Sequence, residues 1–398
     1  MSLRVVTFVG TRPEVIRLAA VLQRLDSTVD HHLVHTGQNY DYELNELMFS
    51  DLGLRAPDIV LEPDTSSLAH TIGDILVGAE RVLSDLKPDA VLVLGDTNSC
   101  LAGIMAKRMH IPLFHMEAGN RCFDENVPEE ANRRIIDHIA DFNLVYTEHA
   151  RRNLLTEGIH PRRIYLTGSP LREVLDQHRD AIGRSDVLER LGLKPNEYVI
   201  VSSHREENVD HPDRLRMVVS AIEALADEFD VPIVLSAHPR TRKRLESSDV
   251  LLSGRIMMHR PFGFIDYNHL QLRSMCAVSD SGTISEEAAI LGFPAVTIRN
   301  SIERPEAMDT GGILVTGIEP DAVVRGVHAV LAQHRAGSNA PSPIEYAIDN
   351  TSQRVVNLIL GLSPLSAQWA GLRSRGEAAN PFEEVAALSP RWPGERAT

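Results

Sequence analysis

Between Val278 and Thr310 the chain reads VSDSGTISEEAAILGFPAVTIRNSIERPEAMDT. Apolar Ala277 to Ser279 read as the end of a buried strand. Asp280, Ser281 and Gly282 then make a short turn, and Thr283 opens a helix that runs to about Leu291. A small residue and a glycine ahead of a helix let backbone N–H groups approach an anion, and the helix dipole favours negative charge there. Glu286 and Glu287, in the first turns, offer a carboxylate to ribose hydroxyls. Arg304, in the loop Glu303–Glu306 beyond the next strand, would add a fork of donors for the same phosphates. Taken alone, these residues fit a diphosphate site or a plainly capped helix equally well.

Other polar residues share one placement, just past an apolar strand. Arg12 follows the strand Leu3–Val9 in Gly10-Thr11-Arg12-Pro13-Glu14, with Arg17 one turn into the helix. Gln38 follows His32–Thr36, Asp96 follows Ala90–Leu94, and Glu117 follows Pro112–Met116. Downstream, His204 and Arg205 follow Tyr198–Ser202, and His238 and Arg240 follow Pro232–Ser236. Carboxylates near a sugar ring can exchange protons; histidines and arginines can hold phosphate. Glu129 and Arg133 are four apart in a helix opened by Pro128, so they share a face. That pair is also routine helix chemistry, and the helix shows an apolar face at Ile135, Ile136 and Ile139.

Strands alternating with helices position all of these. The pattern implies parallel, doubly wound sheets, whose ligands bind beyond the carboxyl ends of the strands. It repeats in the second half, so the expected fold class is α/β, two Rossmann-like domains with a cleft between them. The expected organisation is 1–168 carrying the sugar-side carboxylates, 169–349 binding the nucleotide, a C-terminal helix over 350–362, and a weakly ordered tail over 363–398. The first strand–helix turn has no G-x-G-x-x-G and there is no Walker A, so NAD is not expected. No cofactor and no metal site is expected: the three cysteines are far apart, without metal-ligand spacing.

A 398-residue chain exceeds one typical core. With 43% apolar and 24% charged residues it has a globular composition. A net charge of −15 argues against a nucleic-acid surface but leaves room for a small anionic ligand at a local positive site. No signal peptide and no membrane-length apolar run is visible, so a cytoplasmic protein with reduced thiols and no membrane partner is expected.

GTRPE, HTGQ, GDT, EAG-x-R, PEE-x-N-R, SSHR-x-EN, DSG-x-x-x-EE and ERPE occur in this order over most of the chain. In this the chain resembles the non-hydrolysing UDP-N-acetylglucosamine 2-epimerases, which have the two-domain fold of the B-type glycosyltransferases (GT-B). The resemblance implies exchange between UDP-GlcNAc and UDP-ManNAc, or between close UDP-2-acetamido sugars. It implies Asp96, Glu117 and Glu129 as catalytic carboxylates and His204 as a catalytic or phosphate-contacting histidine. Arg12, His238, Ser281, Gly282 and Glu287 would fall where the family binds UDP, with Arg133 beside the sugar. A homodimer, activation by UDP-GlcNAc in some members, and precursors of cell-surface polysaccharides are implied as well. Arg17 stands where many members have lysine, and Thr283 replaces a second glycine. IRLA, DSGT and PFGFIDYN look more like the branch that forms UDP-N-acetyl-L-fucosamine from its C2 epimer.

The C2 proton of such a sugar has no adjacent carbonyl and is scarcely acidic. Eliminating UDP first gives C1 oxocarbenium character and makes that proton removable. Two readings compete: a retaining UDP-sugar glycosyltransferase on the same fold, and a UDP-sugar sensor that turns nothing over.

Overall fold

The computed structural model describes residues 2–38, 48–247, 252–300, 303–337 and 340–372. The side chains of Glu206, Pro239 and Arg240 also lie outside the description. Among the described residues thirteen strands form two sheets, every pairing parallel. The first contains β1 (Arg4–Val9), β2 (Asp30–His35), β3 (Ile59–Val60), β4 (Ala90–Leu94), β5 (Leu113–Met116), β6 (Phe142–Val145) and β7 (Ile164–Leu166), in the order 3-2-1-4-5-6-7. The second contains β8 (Val199–Ser202), β9 (Ile233–Ser236), β10 (Ile256–His259), β11 (Cys276–Ser279), β12 (Ala295–Thr297) and β13 (Leu314–Val315), in the order 10-9-8-11-12-13. The fold is thus α/β with two Rossmann-like halves, as expected. Strand order reverses between β1 and β4 and again between β8 and β11, and these two switch points are where such sheets take ligands.

Central strands such as β4 are buried along their whole length because helices cover both faces. Val5, Val9, Leu92 and Leu94 pack beneath helix α1 (Arg12–Thr28), through Leu18, Leu22 and Leu25. Leu171, Val174, Leu175 and Ile182 join that same cluster. So do Val355, Val356 and Ile359 of the last helix, which returns across the chain, and Arg24 Nε donates to Ser352 Oγ at 2.8 Å.

The last helix spans Thr351–Trp369 rather than 350–362. Residues 363–369 of the segment read as a tail are therefore helical, and 373–398 lie outside the described residues. Pro364 sits inside this helix. Tertiary packing holds the turn beyond it: the Trp369 ring lies 6.2 Å from Phe142 and 5.0 Å beneath the Arg162 guanidinium.

The helix Pro128–Ile139 also departs from expectation. Ile135 is exposed, and the buried face carries Glu130, Arg133, Ile136 and Asp137. Charges can be buried there because other segments bring partners to them, as shown below. Among the described residues no helix is long and apolar enough to cross a membrane.

Candidate functional site

The first-half rim is built around Glu117, the residue after β5. Its backbone is in the left-handed region, with φ 60°. A non-glycine residue held there at a strand end marks a position the surroundings over-determine. Arg17, buried one turn into α1, ion-pairs with Glu117 Oε2. Arg133 donates from Nη1 to the Glu117 carbonyl at 2.6 Å, lies 3.4 Å from Glu117 Oε1 through Nη2, and pairs with Asp96. The two carboxylates expected on successive strand ends are thus brought together by one guanidinium. Asp96 is fixed further by Asn132, whose amide donates to its carbonyl at 3.0 Å.

Arg133 reaches inward from its helix to Asp96 and Glu117. Burial opposes its charge, but Asp96 and Glu303 outweigh burial and raise its pKa. Glu129 is half-buried and acts on Arg205 of the second half. Beneath the rim, Asp137 is fully buried and accepts from Gly119 N at 3.1–3.2 Å. It also pairs with Arg121 at 2.7 Å and His115 at 2.9 Å. His115 Nε2 meets the Gly95 carbonyl at 2.7 Å, so this buried cluster underpins both the Asp96 and the Glu117 turns.

Across the seam, Asp280 closes β11 and is fully buried. It accepts from Ser203 Oγ at 2.8 Å, from the amides of His204 at 3.0 Å and Arg205 at 3.2 Å, and from Asn208 at 3.0 Å. Burial pushes its carboxyl up, yet His204 and these donors hold it below the ordinary value. His204 turns Nδ1 toward Asp280 at 3.4 Å, which makes Nε2 the nitrogen available to a ligand. With 40% of its side chain reachable by solvent, it still feels the protein around it: desolvation lowers its pKa against the pull of Asp280.

Gly282 shows why a side chain is missing from the turn. A Cβ there would meet Arg304 Nη1 at 2.8 Å, Arg205 Nη2 at 3.4 Å and Arg299 Nη1 at 3.8 Å. Three guanidinium groups therefore converge on one backbone point, in a pocket lined by Ser281, Gly282, Ser285, Thr297, Arg299, Glu303 and Arg304. Glu303 supplies the negative charge: it lies 3.2 Å from Arg205 and 2.9 Å from Arg299, and 4.0 Å from Arg133. Despite burial, these arginines hold its carboxyl far below the usual range.

The turn's amides are engaged differently from the simple cradle expected. Ser281 N donates to Ser279 Oγ at 3.0 Å, Thr283 N to Ser281 Oγ at 3.3 Å, and the Ser281 and Thr283 hydroxyls meet at 2.9 Å. The helix begins one residue later than expected, at Ile284. Glu287, expected to face a ribose, is buried and accepts from Gln271 at 2.6 Å; its burial raises the carboxyl's pKa. Glu286 is the fully buried partner of Arg304, 3.5 Å from its Nε.

Arg12 bridges the halves, donating to the Phe262 carbonyl at 2.8 Å. Gln38 is half-buried past β2, and its Oε1 has no hydrogen-bond partner among the described residues. His238 is exposed past β9, and the Arg240 side chain lies outside the description. Among the described residues, Arg17 Nε, Tyr146 Oη, both Glu286 oxygens, Arg299 Nε and Arg304 Nε likewise have no hydrogen-bond partner, and all lie in this seam. Buried polar atoms are normally satisfied, so their concentration marks a polar binding site. Reasoning from the sequence missed Arg299, although it stands two residues past β12, where the strand-end rule applies. It also gave no role to Glu14, Asp280 or Glu303, whose signal was only their nearness to such ends.

The comparisons agree with this geometry. The family model described as UDP-N-acetylglucosamine 2-epimerase matches residues 23–360. The chain is similar to the UDP-N-acetylglucosamine 2-epimerase of Methanocaldococcus jannaschii, 33% identical over 88% of this chain and 97% of that one. Among solved structures it is similar to the Rickettsia bellii UDP-N-acetylglucosamine 2-epimerase: 41% identity, TM-score 0.87, covering 94% of this chain and all of that one. It is also similar to the Methanocaldococcus jannaschii UDP-GlcNAc 2-epimerase in complex with UDP-GlcNAc and UDP: 32% identity, TM-score 0.83, covering 90% and 99% of the two chains. With its rim carboxylates and convergent arginines in place, the chain belongs to the UDP-N-acetylglucosamine 2-epimerase family, a family of isomerases.

Proposed function

We propose that the protein interconverts UDP-GlcNAc and UDP-ManNAc without net hydrolysis. One observation carries the reading: Arg304 joins the arginine cluster at Gly282 to Glu117, so diphosphate site and proton-transfer carboxylates form one continuous unit. In the forward step the C1–O bond breaks, its electron pair leaves with UDP, and a carboxylate takes the C2 proton. The products are a 2-acetamidoglycal and bound UDP. A second acid then protonates C2 from the opposite face, and a diphosphate oxygen re-forms the C1 bond.

Asp96, Glu117 and Glu129 serve proton transfer and ring-charge stabilisation, each general acid or base being worth about 10²–10⁴-fold. His204, Arg205, Arg299 and Arg304 stabilise the departing diphosphate, where preorganised donors act in a dry site. Arg12, Arg17, Gln38, Arg133, His238, Arg240, Ser281, Gly282, Thr283 and Glu287 complete substrate binding. We extend the reading to a cytoplasmic homodimer that supplies precursors for cell-surface glycoconjugates and responds to UDP-GlcNAc as an effector. The motif resemblance supports the homodimer, the effector and the precursor role, and the few, widely spaced cysteines support the cytoplasmic placement.

The test is NMR of purified protein with UDP-GlcNAc in D₂O. Deuterium at C2 together with a UDP-ManNAc anomeric signal supports the proposal. Sugar transfer without C2 exchange would point to a glycosyltransferase, and binding without turnover to a sensor. Exchange confined to the 6-deoxy-L analogue, in a parallel sample, would assign the fucosamine branch instead.

A further inference from the structure

Glu14 lies beneath the first-half rim with 2% of its surface exposed, and both of its carboxylate oxygens are used. Oε2 accepts from the Gly10 amide at 2.7 Å, the Thr11 amide at 2.8 Å and the Thr11 hydroxyl at 3.1 Å. Oε1 accepts from the Thr97 hydroxyl at 2.8 Å and from the Ser99 hydroxyl. The first set is an ordinary capping box, a third-position glutamate reaching back over its own helix start. The second set does nothing for that helix. It crosses to the turn after β4, 83 and 85 residues away.

One carboxylate therefore fastens two turns of the switch point together. On one side stand Arg12 and, one turn on, Arg17, which holds Glu117. On the other stands Thr97, the neighbour of Asp96. Burial raises the Glu14 carboxyl's pKa while the donors of Ser99, Gly10, Thr97 and Thr11 oppose that shift. Desolvating a carboxylate this fully is costly unless its oxygens are bonded, and a cap alone needs only one of them.

We propose that Glu14 is a positioning residue for proton transfer: it fixes the Asp96 turn against the Arg17–Glu117 pair. The inference rests on the epimerase reading and deepens it. Displacing a reacting group by about 1 Å can cost about 10²-fold in rate.

Full-length Glu14→Gln keeps the volume but places an amide donor among donors. It should lower kcat by about 10- to 100-fold while leaving KM for UDP-GlcNAc and Kd for UDP within about twofold. Thr97→Val keeps the cap of α1 and removes one of the two hydroxyls that link the turns, leaving Ser99; it should lower kcat in the same direction, by less. The double variant should lose no more than the weaker single variant, because both remove one connection. If Glu14→Gln does not fold, Thr97→Val and Ser99→Ala decide the matter. Thr97→Val at wild-type kcat, additive losses, or a matching loss of UDP binding would overturn the inference. Wild-type protein that exchanges no C2 hydrogen overturns the epimerase reading and this inference with it, whereas active wild type beside unaffected variants overturns the inference alone.

Discussion

Arg304 Nη2 lies 3.2 Å from Glu117 Oε1, joining residues 187 positions apart across the seam. The same guanidinium donates through Nη1 to the Gly282 carbonyl and faces Glu286 through Nε. Burial works against its charge, but Glu286 and the surrounding acids more than offset that and raise its pKa. Arg304 is therefore cationic at any working pH and spans both ends of the proposed reaction.

Its planar fork, not its charge alone, makes these three contacts. Arg304→Lys should therefore lower kcat by about 10²–10³-fold, the range seen when one preorganised donor is removed from a charged intermediate. Steady-state kinetics check this; kcat within a factor of three of wild type would show that the fork is dispensable.

Glu303 occupies Arg205 and Arg299 at 3.2 and 2.9 Å, the two arginines that also approach Gly282. A diphosphate drawing on those arginines must compete with this carboxylate. Glu303→Gln should therefore tighten UDP binding about tenfold, roughly 1.4 kcal/mol, in calorimetry. Weaker binding would mean that Glu303 holds the arginines in their receptive arrangement instead.

His204 gives a pH signature. In the free protein desolvation, ahead of the opposing Asp280, lowers its pKa below the ordinary histidine value, so the neutral ring dominates at pH 7. Folding stability tied to this group is present above the unfolded-state pKa and declines as pH falls through the lower folded value. A diphosphate beside Nε2 reverses the shift, because nearby negative charge favours imidazolium. UDP binding should then take up protons near pH 6–7 and weaken as pH rises. Titrations in buffers of different ionisation enthalpy measure that uptake, and His204→Asn should abolish it. Equal uptake in the variant would place the titrating group elsewhere.

Placement was legible in the sequence where one rule governs it. Parallel sheets put every strand's carboxyl end on one edge, which places Arg12, Asp96, Glu117, His204 and Gly282 on the rims from sequence alone. Contacts between the halves were not legible, because Glu117–Arg304 depends on how two sheets face each other. The buried face of Pro128–Ile139 was misread for a related reason. Its charges are tolerated through Arg121 and His115, which come from other segments and leave no trace in local hydrophobic periodicity. The composition of 363–398 reads as a tail, but the helix runs on through Pro364 to Trp369, whose packing against Phe142 is a tertiary contact that local composition does not show. The contact that Gln271 makes with one Glu287 oxygen comes from another helix and was not legible in the local sequence.

Asp137 permits a last prediction, about stability rather than turnover. It is fully buried, and burial alone would raise its pKa; His115 and Arg121 reverse this and hold it below the ordinary value. A depressed carboxyl contributes stability that is present above the unfolded-state pKa and is lost as pH falls through the folded-state value. Asp137→Asn removes that charge and turns an amide donor toward the Gly119 N–H or the Arg121 guanidinium, leaving a buried cation short of a partner. Breaking a buried pair in this way costs about 3–5 kcal/mol. Thermal unfolding at pH 7 should show that loss. The gap between variant and wild type should narrow as pH falls below about 4, where the carboxyl of the unfolded chain begins to protonate, and close below the lower folded-state value. A variant less than about 1 kcal/mol weaker at pH 7, or a gap independent of pH, would mean that His115 and Arg121 are held without this carboxylate.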